Sequence, residues 1–122
     1  MVSFAEMVLG SGVPIYLQII LYVKRGMVAG TIQNGDEMPS RRVLSALLGV
    51  NPNTIQKAYR MLEEEGLICS HAGAKSYASY DAAQIAEIRR QLLEEDIRTL
   101  VEAMKQMEVT REEAVCMIEN LW

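Results

Sequence analysis

The chain has 122 residues, 12 Lys and Arg against 16 Asp and Glu, a formal charge of −4, and a composition that is half hydrophobic. That length suits one ordinary domain, or a small domain with a helical appendage, and excludes a barrel or a dinucleotide-binding domain beside a second module. The apolar fraction argues against disorder, and no run approaches the ~18 uninterrupted apolar residues of a membrane span. Met1 to Gly12 lack the basic start of a secretory signal. Two isolated cysteines, Cys69 and Cys116, fit a reduced cytoplasmic protein better than a disulfide scaffold, and a single histidine excludes a histidine-rich metal site. No cofactor is implied. Residues 1–80 hold seven basic and six acidic groups, residues 81–122 five and ten. The overall acidity is therefore concentrated in the second stretch, and phosphate affinity depends on where cations sit.

The opening residues carry no pattern. After Val13-Pro14, Ile15, Ile19, Val23 and Met27 recur at i+4, with Tyr16 and Ile20 widening the stripe, which predicts a helix ending at Gly30. Gly30 to Pro39 is rich in turn residues and is expected to be a loop. Ser40 is a good N-cap for a short helix bearing Val43, Leu44, Leu47 and Leu48, and Gly49 supplies a left-handed stop. Asn51-Pro52 then pairs an N-cap with an N1 proline, opening a helix that buries Ile55, Ala58, Tyr59 and Leu62. It runs into Glu63-Glu64-Glu65, expected to be a solvated run, and stops at Gly66. Two helices joined through a short glycine-containing turn make a helix-turn-helix unit.

Leu67 to Ser70 and Ser76 to Ser79, separated by the turn-like His71 to Lys75, predict a short hairpin or wing with Gly73 near its tip. From Asp81 a long amphipathic helix follows, with Ile85, Ile88, Leu92, Leu93, Ile97, Leu100, Val101, Met104 and Met107 on its apolar side. Thr110 with Glu113 has the capping-box pattern for a last helix ending at Leu121-Trp122. The expected fold class is mainly α with a small β-hairpin: a winged helix-turn-helix domain over 1–80 and a C-terminal helical dimerisation tail over 81–122.

On the second helix of the unit, the apolar stripe leaves Asn53, Thr54, Gln56 and Lys57 near the N-terminal end free to face outward. Short amides and hydroxyls there can bond base edges, and a helix N-terminus favours an anion. Arg41 and Arg42 lie in the first turn of the preceding helix, against its dipole, which an external polyanion would relieve. His71 and Lys75 flank the wing tip and would reach a neighbouring groove or phosphate. An enzyme is disfavoured, because no nucleophile with a base, no second histidine and no glycine-rich phosphate loop occurs.

The run from Val13 to Ser79 resembles the winged helix-turn-helix domain of the GntR transcriptional regulators. The matching pieces are Val13-Pro-Ile-Tyr-Leu-Gln-Ile19, Gly30-Thr-Ile-Gln-Asn-Gly35, Pro39-Ser-Arg-Arg-Val-Leu44, Leu48-Gly-Val-Asn-Pro-Asn-Thr-Ile-Gln-Lys-Ala-Tyr59, Leu62-Glu-Glu-Glu-Gly-Leu-Ile68 and Gly73 with Ser76-Tyr77. The tail of about forty residues is similar to that of the YtrA subfamily. The resemblance implies that Arg42 contacts backbone or base, that Asn53 and Thr54 open a recognition helix, and that Gly73 approaches the minor groove. Gln56 stands where many members have a second arginine, and Ala72 where a basic wing residue is common. The resemblance also implies repression of the chain's own operon, often beside transporter genes.

The tail has more apolar positions than one helix needs to settle on a small domain. Leu92, Ile97, Leu100, Met104, Ile118, Leu121 and Trp122 are therefore expected to form an isologous homodimer interface, as two-fold DNA readers require. The tail is too short for a large effector domain, so a small-molecule effector, apolar or cationic, would use the dimer interface. The partners expected are double-stranded DNA and a second copy, with no membrane. The rival reading is a winged-helix module for protein–protein contact, which would show an apolar centre where Arg42, Asn53, Thr54, Gln56 and Lys57 stand.

Overall fold

Helix boundaries fall where local chemistry places them. In the computed structural model, which describes residues 1–71 and 75–122, α1 spans Ile15–Ala29, α2 Arg41–Leu48 and α3 Pro52–Glu64. Strands β1 (Ile68–Ser70) and β2 (Ser76–Ala78) follow, then α4 (Ala82–Gln106) and α5 (Arg111–Leu121). The Ser40 hydroxyl accepts from Val43 N–H, the Asn51 side chain from Asn53 N–H, and the Thr110 hydroxyl from Glu113 N–H. Each satisfies an amide that the first helical turn would leave orphaned. Pro14 is the N-cap of α1, just outside its first turn. The left-handed residue that ends α2 is Gly49 (φ 67°), as expected.

The chain divides into two compact units, Met1–Ile88 and Arg89–Trp122, with the boundary inside α4. In the first unit α3 packs on α1, α2 and β1. Its core is Ile19, Val23 and Met27 from α1, Leu44 from α2, and Ile55, Ala58, Tyr59 and Leu62 from α3, closed by Leu67 and Ile68. The two strands pair antiparallel, Ile68 with Ala78 and Ser70 with Ser76.

Two stretches without a periodic signature prove structural. Val2 and Phe4 are buried. Phe4 stacks on Tyr22 at 5.0 Å, and Val2 N–H donates to Glu37 O at 2.8 Å. The expected loop before Pro39 lies along β2: Gly35 N–H donates to Ala78 O, Ala78 N–H to Asp36 O and Met38 N–H to Ser76 O, at 2.7 to 2.8 Å. A Glu37–Tyr77 bridge sits between them, and Ile32 and Met38 join the core. The start of α4 is held by Tyr80, whose hydroxyl donates to Ile32 O at 2.6 Å, and by reciprocal bonds between Asp81 and Gln84.

In the second unit, Arg90, Glu94, Glu95 and Arg98 form an exposed ladder of ion pairs along α4. The chain turns after α4 at Glu108 (φ 58°), and of the α5 side chains Ala114 is buried.

One helix-interior glycine has a packing reason. A Cβ on Gly26 would lie 2.6 Å from Ile32 Cδ1 and 2.8 Å from its Cγ1, and Ile32 is itself buried. Glycine to alanine in a helix ordinarily gains about 1 kcal/mol, whereas overpacking a filled core costs about 1–3. Gly26→Ala is therefore expected to lose about 1 kcal/mol net, seen as a lower thermal unfolding midpoint.

Candidate nucleic-acid interface

The stripe that buries α3 dictates what its other side can show. With Ile55, Ala58, Tyr59 and Leu62 inside, Asn53, Gln56, Lys57 and Arg60 are exposed at helical spacings of three and four, and Thr54 is half-buried beside them. The structure thus gathers four of the expected α3 residues toward the N-terminal end of one helix. Arg60 pairs only loosely with Glu64, at 3.9 Å between two exposed side chains, a contact worth little. The Lys57 ammonium sits 4.0 Å from the Tyr16 ring centroid, a cation–π contact that fixes its direction while leaving it exposed.

The two arginines of α2 part company. Arg42 is exposed and has no side-chain partner among the described residues. Arg41 folds inward: its guanidinium lies 5.2 Å from the Tyr59 centroid, Nη2 is 3.5 Å from Glu63 Oε1, and Nε is buried with no hydrogen-bond partner. The cation placed against the dipole of α2 is thus answered by a carboxylate of the protein itself. Tyr59 donates to Pro39 O at 2.7 Å. Burial pushes its phenol above the ordinary range, with Arg41 opposing but not cancelling the shift, so the donor persists at any working pH.

On the wing, His71 and Lys75 are exposed, and His71 N–H donates to Lys75 O at 2.9 Å. Both side chains already have company: His71 meets Tyr77 edge-on at 5.2 Å, and Lys75 pairs with Glu37 at 3.3 Å. Gly73 and Ala72 lie outside the described residues.

The glutamate run at the end of α3 is solvated at Glu64 and Glu65 and half-buried at Glu63, and each of the three also meets a cation. Glu63 takes Arg41 and accepts from the Ser70 hydroxyl, Glu64 takes Arg60, and Glu65 meets Lys24 of α1 at 2.9 Å. Helical spacing gives away the i,i+4 pair of Arg60 with Glu64, but no periodicity could have found Arg41 or Lys24, which come from other elements. In the tail, Leu92 and Met104 are half-buried, and Ile97, Leu100, Ile118, Leu121 and Trp122 are exposed. A groove of about 460 Å³ in the second unit runs between Val101, Met104, Val109, Val115 and Ile118, with Lys105 and Arg111 on its lining.

The family model for bacterial regulatory proteins of the gntR family matches residues 15–77. The HTH-type transcriptional repressor YtrA of Bacillus subtilis is 37% identical over 92 residues, covering 75% of this chain and 71% of that one. A GntR family transcriptional regulator from Listeria monocytogenes superposes with a TM-score of 0.79 at 29% identity, over 92% of this chain and 98% of its own. The AraR DNA-binding domain in complex with operator ORX1 aligns with a TM-score of 0.53 at 25% identity, over 60% of this chain and 93% of its own. No helix among the described residues is long and apolar enough to cross a membrane. With the fold, the helix-turn-helix and the family match in agreement, the chain belongs to the GntR family of bacterial regulatory proteins, among its YtrA-like members.

Proposed function

We propose that the chain is a sequence-specific transcriptional repressor that works in the cytoplasm as a homodimer on a pseudo-palindromic DNA operator. The observation that carries this reading is the first two turns of α3, where Asn53, Gln56 and Lys57 stand exposed near the N-terminal end of a helix packed from behind. Asn53 and Gln56 offer amides of the kind that pair with adenine in the major groove. Lys57 and Arg42 supply phosphate contacts, with the wing residues His71, Gly73 and Lys75 as the second point of approach. Arg41 and Thr54 support this surface from its inner side. The operator complex of the AraR domain and the repressor designation of YtrA support DNA binding and its sign. The YtrA likeness extends the proposal to a transporter operon.

The apolar residues left exposed on α4 and α5 support the dimer, since faces of that kind ordinarily find a partner. Two-fold symmetry would then present two copies of α3 to successive half-sites. An apolar effector would occupy the groove beside Met104 and Ile118. Lys105 and Arg111 on its lining disfavour the cationic class expected from composition.

A second reading has one observation behind it. Val43 and Leu47 on α2 are 52% and 58% exposed, an apolar element that a protein partner could cover. Salt separates the two. Phosphate contacts make log affinity fall linearly with log salt, by a slope of about 0.9 per contact on duplex DNA. Selection of bound duplexes from a random pool, followed by a salt titration of the recovered duplex, tests the DNA reading, and a flat response favours the protein-contact reading.

On that duplex, Arg42→Ala and Lys57→Ala should each weaken binding on all sequences and reduce the salt slope by about 1. Asn53→Ala should cost about 1–3 kcal/mol and relax preference at one base pair. Equal losses on operator and scrambled duplex would remove Asn53 from base readout. For the tail, Leu100→Glu and Ile118→Glu should each shift the sedimenting species from dimer to monomer and weaken operator binding. Unchanged sedimentation of both would overturn the assigned interface.

A further inference from the structure

A ring of polar contacts joins the three pieces that face DNA in the proposed function. Arg41, in the first turn of α2, reaches Glu63 in the last turn of α3 at 3.5 Å. The same Oε1 of Glu63 accepts from the Ser70 hydroxyl at the end of β1, and Ser70 Oγ lies 3.1 Å from Ser76 Oγ at the start of β2. Ser76 O accepts from Met38 N–H at 2.8 Å, and Pro39 O, one residue on, accepts from the Tyr59 hydroxyl. Tyr59 also lies beneath the Arg41 guanidinium, which closes the circuit.

Arg41 is poorly disposed to meet a phosphate. Its Nε is buried without a partner, and its side chain is 31% exposed. A surface clamp would present its donors outward and would not leave one orphaned inside, where an unmade bond is costly. Glu63 is equally unsuited to the surface of a polyanion reader unless its charge is used within the protein.

We propose that Arg41 and Glu63 are a positioning pair that locks the base of the wing against the recognition helix, so that DNA affinity depends on Arg41 without its touching DNA. This rests on the DNA-binding reading above. The pair holds α2 and α3 at one end and, through Ser70, transmits the position of α3 to the strands that carry His71 and Lys75. The fit of helix and wing to one duplex is then set before binding.

Electrostatics and positioning predict opposite signs. Glu63→Gln removes a negative charge, so simple attraction to phosphate would tighten binding. The positioning pair requires it to weaken, by roughly fivefold or more, with the salt slope unchanged and the thermal midpoint near that of the parent. Ser70→Ala tests the wing arm alone, should weaken binding to a similar degree, and should add little to Glu63→Gln in a double-variant cycle. The exchange of charges gives the strongest contrast. Arg41→Glu alone should abolish tight binding, and Arg41→Glu with Glu63→Arg, which leaves net charge unchanged, should recover most of it at the parent's salt slope. If the exchanged pair stays as weak as Arg41→Glu, the pair does not position the wing and the proposal fails; if the slope falls by about 1, Arg41 is a phosphate contact and it fails likewise. It also fails if Glu63→Gln and Ser70→Ala both bind like the parent. All measurements use the duplex recovered by selection; absence of salt-dependent binding by the unaltered chain would overturn the DNA reading itself and this pair with it.

Discussion

The burial of one stripe of α3 is the constraint on which the rest depends. Ile55, Ala58, Tyr59 and Leu62 are all fully enclosed, and with 3.6 residues per turn that leaves the opposite face no alternative to water or a partner. Asn53, Gln56 and Lys57 are displayed because their neighbours are not. Filling a core of this kind draws on roughly 1.5–3 kcal/mol per large apolar side chain, far more than any single polar contact on the outer face. The orientation of the candidate reading surface is thus fixed by packing, and its polar residues are free to be chosen for what they meet.

The C-terminal end of α3 obeys a different rule. There three consecutive carboxylates each find a cation, from α2, from the preceding turn and from α1. Exposed ion pairs are worth little singly. Glu63 and Glu65 do more than add stability, because their partners come from separate elements and so fix the angles between them. The same pairing removes negative charge from the neighbourhood where phosphate would approach. Screening limits each surface charge to about 8 Å at physiological salt. A duplex at α3 would therefore respond to Arg42, Lys57 and their immediate surroundings and not to the formal −4 of the whole chain.

What could be read from sequence was whatever is encoded within one turn or one period. Ser40, Asn51 and Thr110 act on amides two or three residues away, and Gly49 acts on its own backbone, so their roles are local facts. The stripe of α3 is equally local, and with it the outward set at Asn53, Gln56 and Lys57. What could not be read depends on partners distant in the chain. Val2 and Phe4 have no periodicity, yet they pack on Glu37 and Tyr22. Gly35 to Met38 look like a loop because turn residues dominate them, and they nonetheless give β2 its second edge of backbone bonds. Arg41 and Arg42 are adjacent and chemically identical, and only the position of Tyr59 and Glu63 sends one inward and leaves the other out.

That divergence bears on how adjacent basic residues in such a helix should be understood. A helix turns by about 100° per residue, so two consecutive side chains cannot both point along the same normal to the surface. When the first turn of α2 sits over α3, one of the pair must look toward the neighbouring helix. A guanidinium in that place needs an aromatic face and a carboxylate, and Tyr59 and Glu63, four residues apart on α3, lie on the same side of that helix to provide them. The outward arginine then has a backbone held from beneath. In the proposed reading, its reach toward a polyanion would be set by a contact it does not itself make, and the inward arginine would act on the interface without entering it.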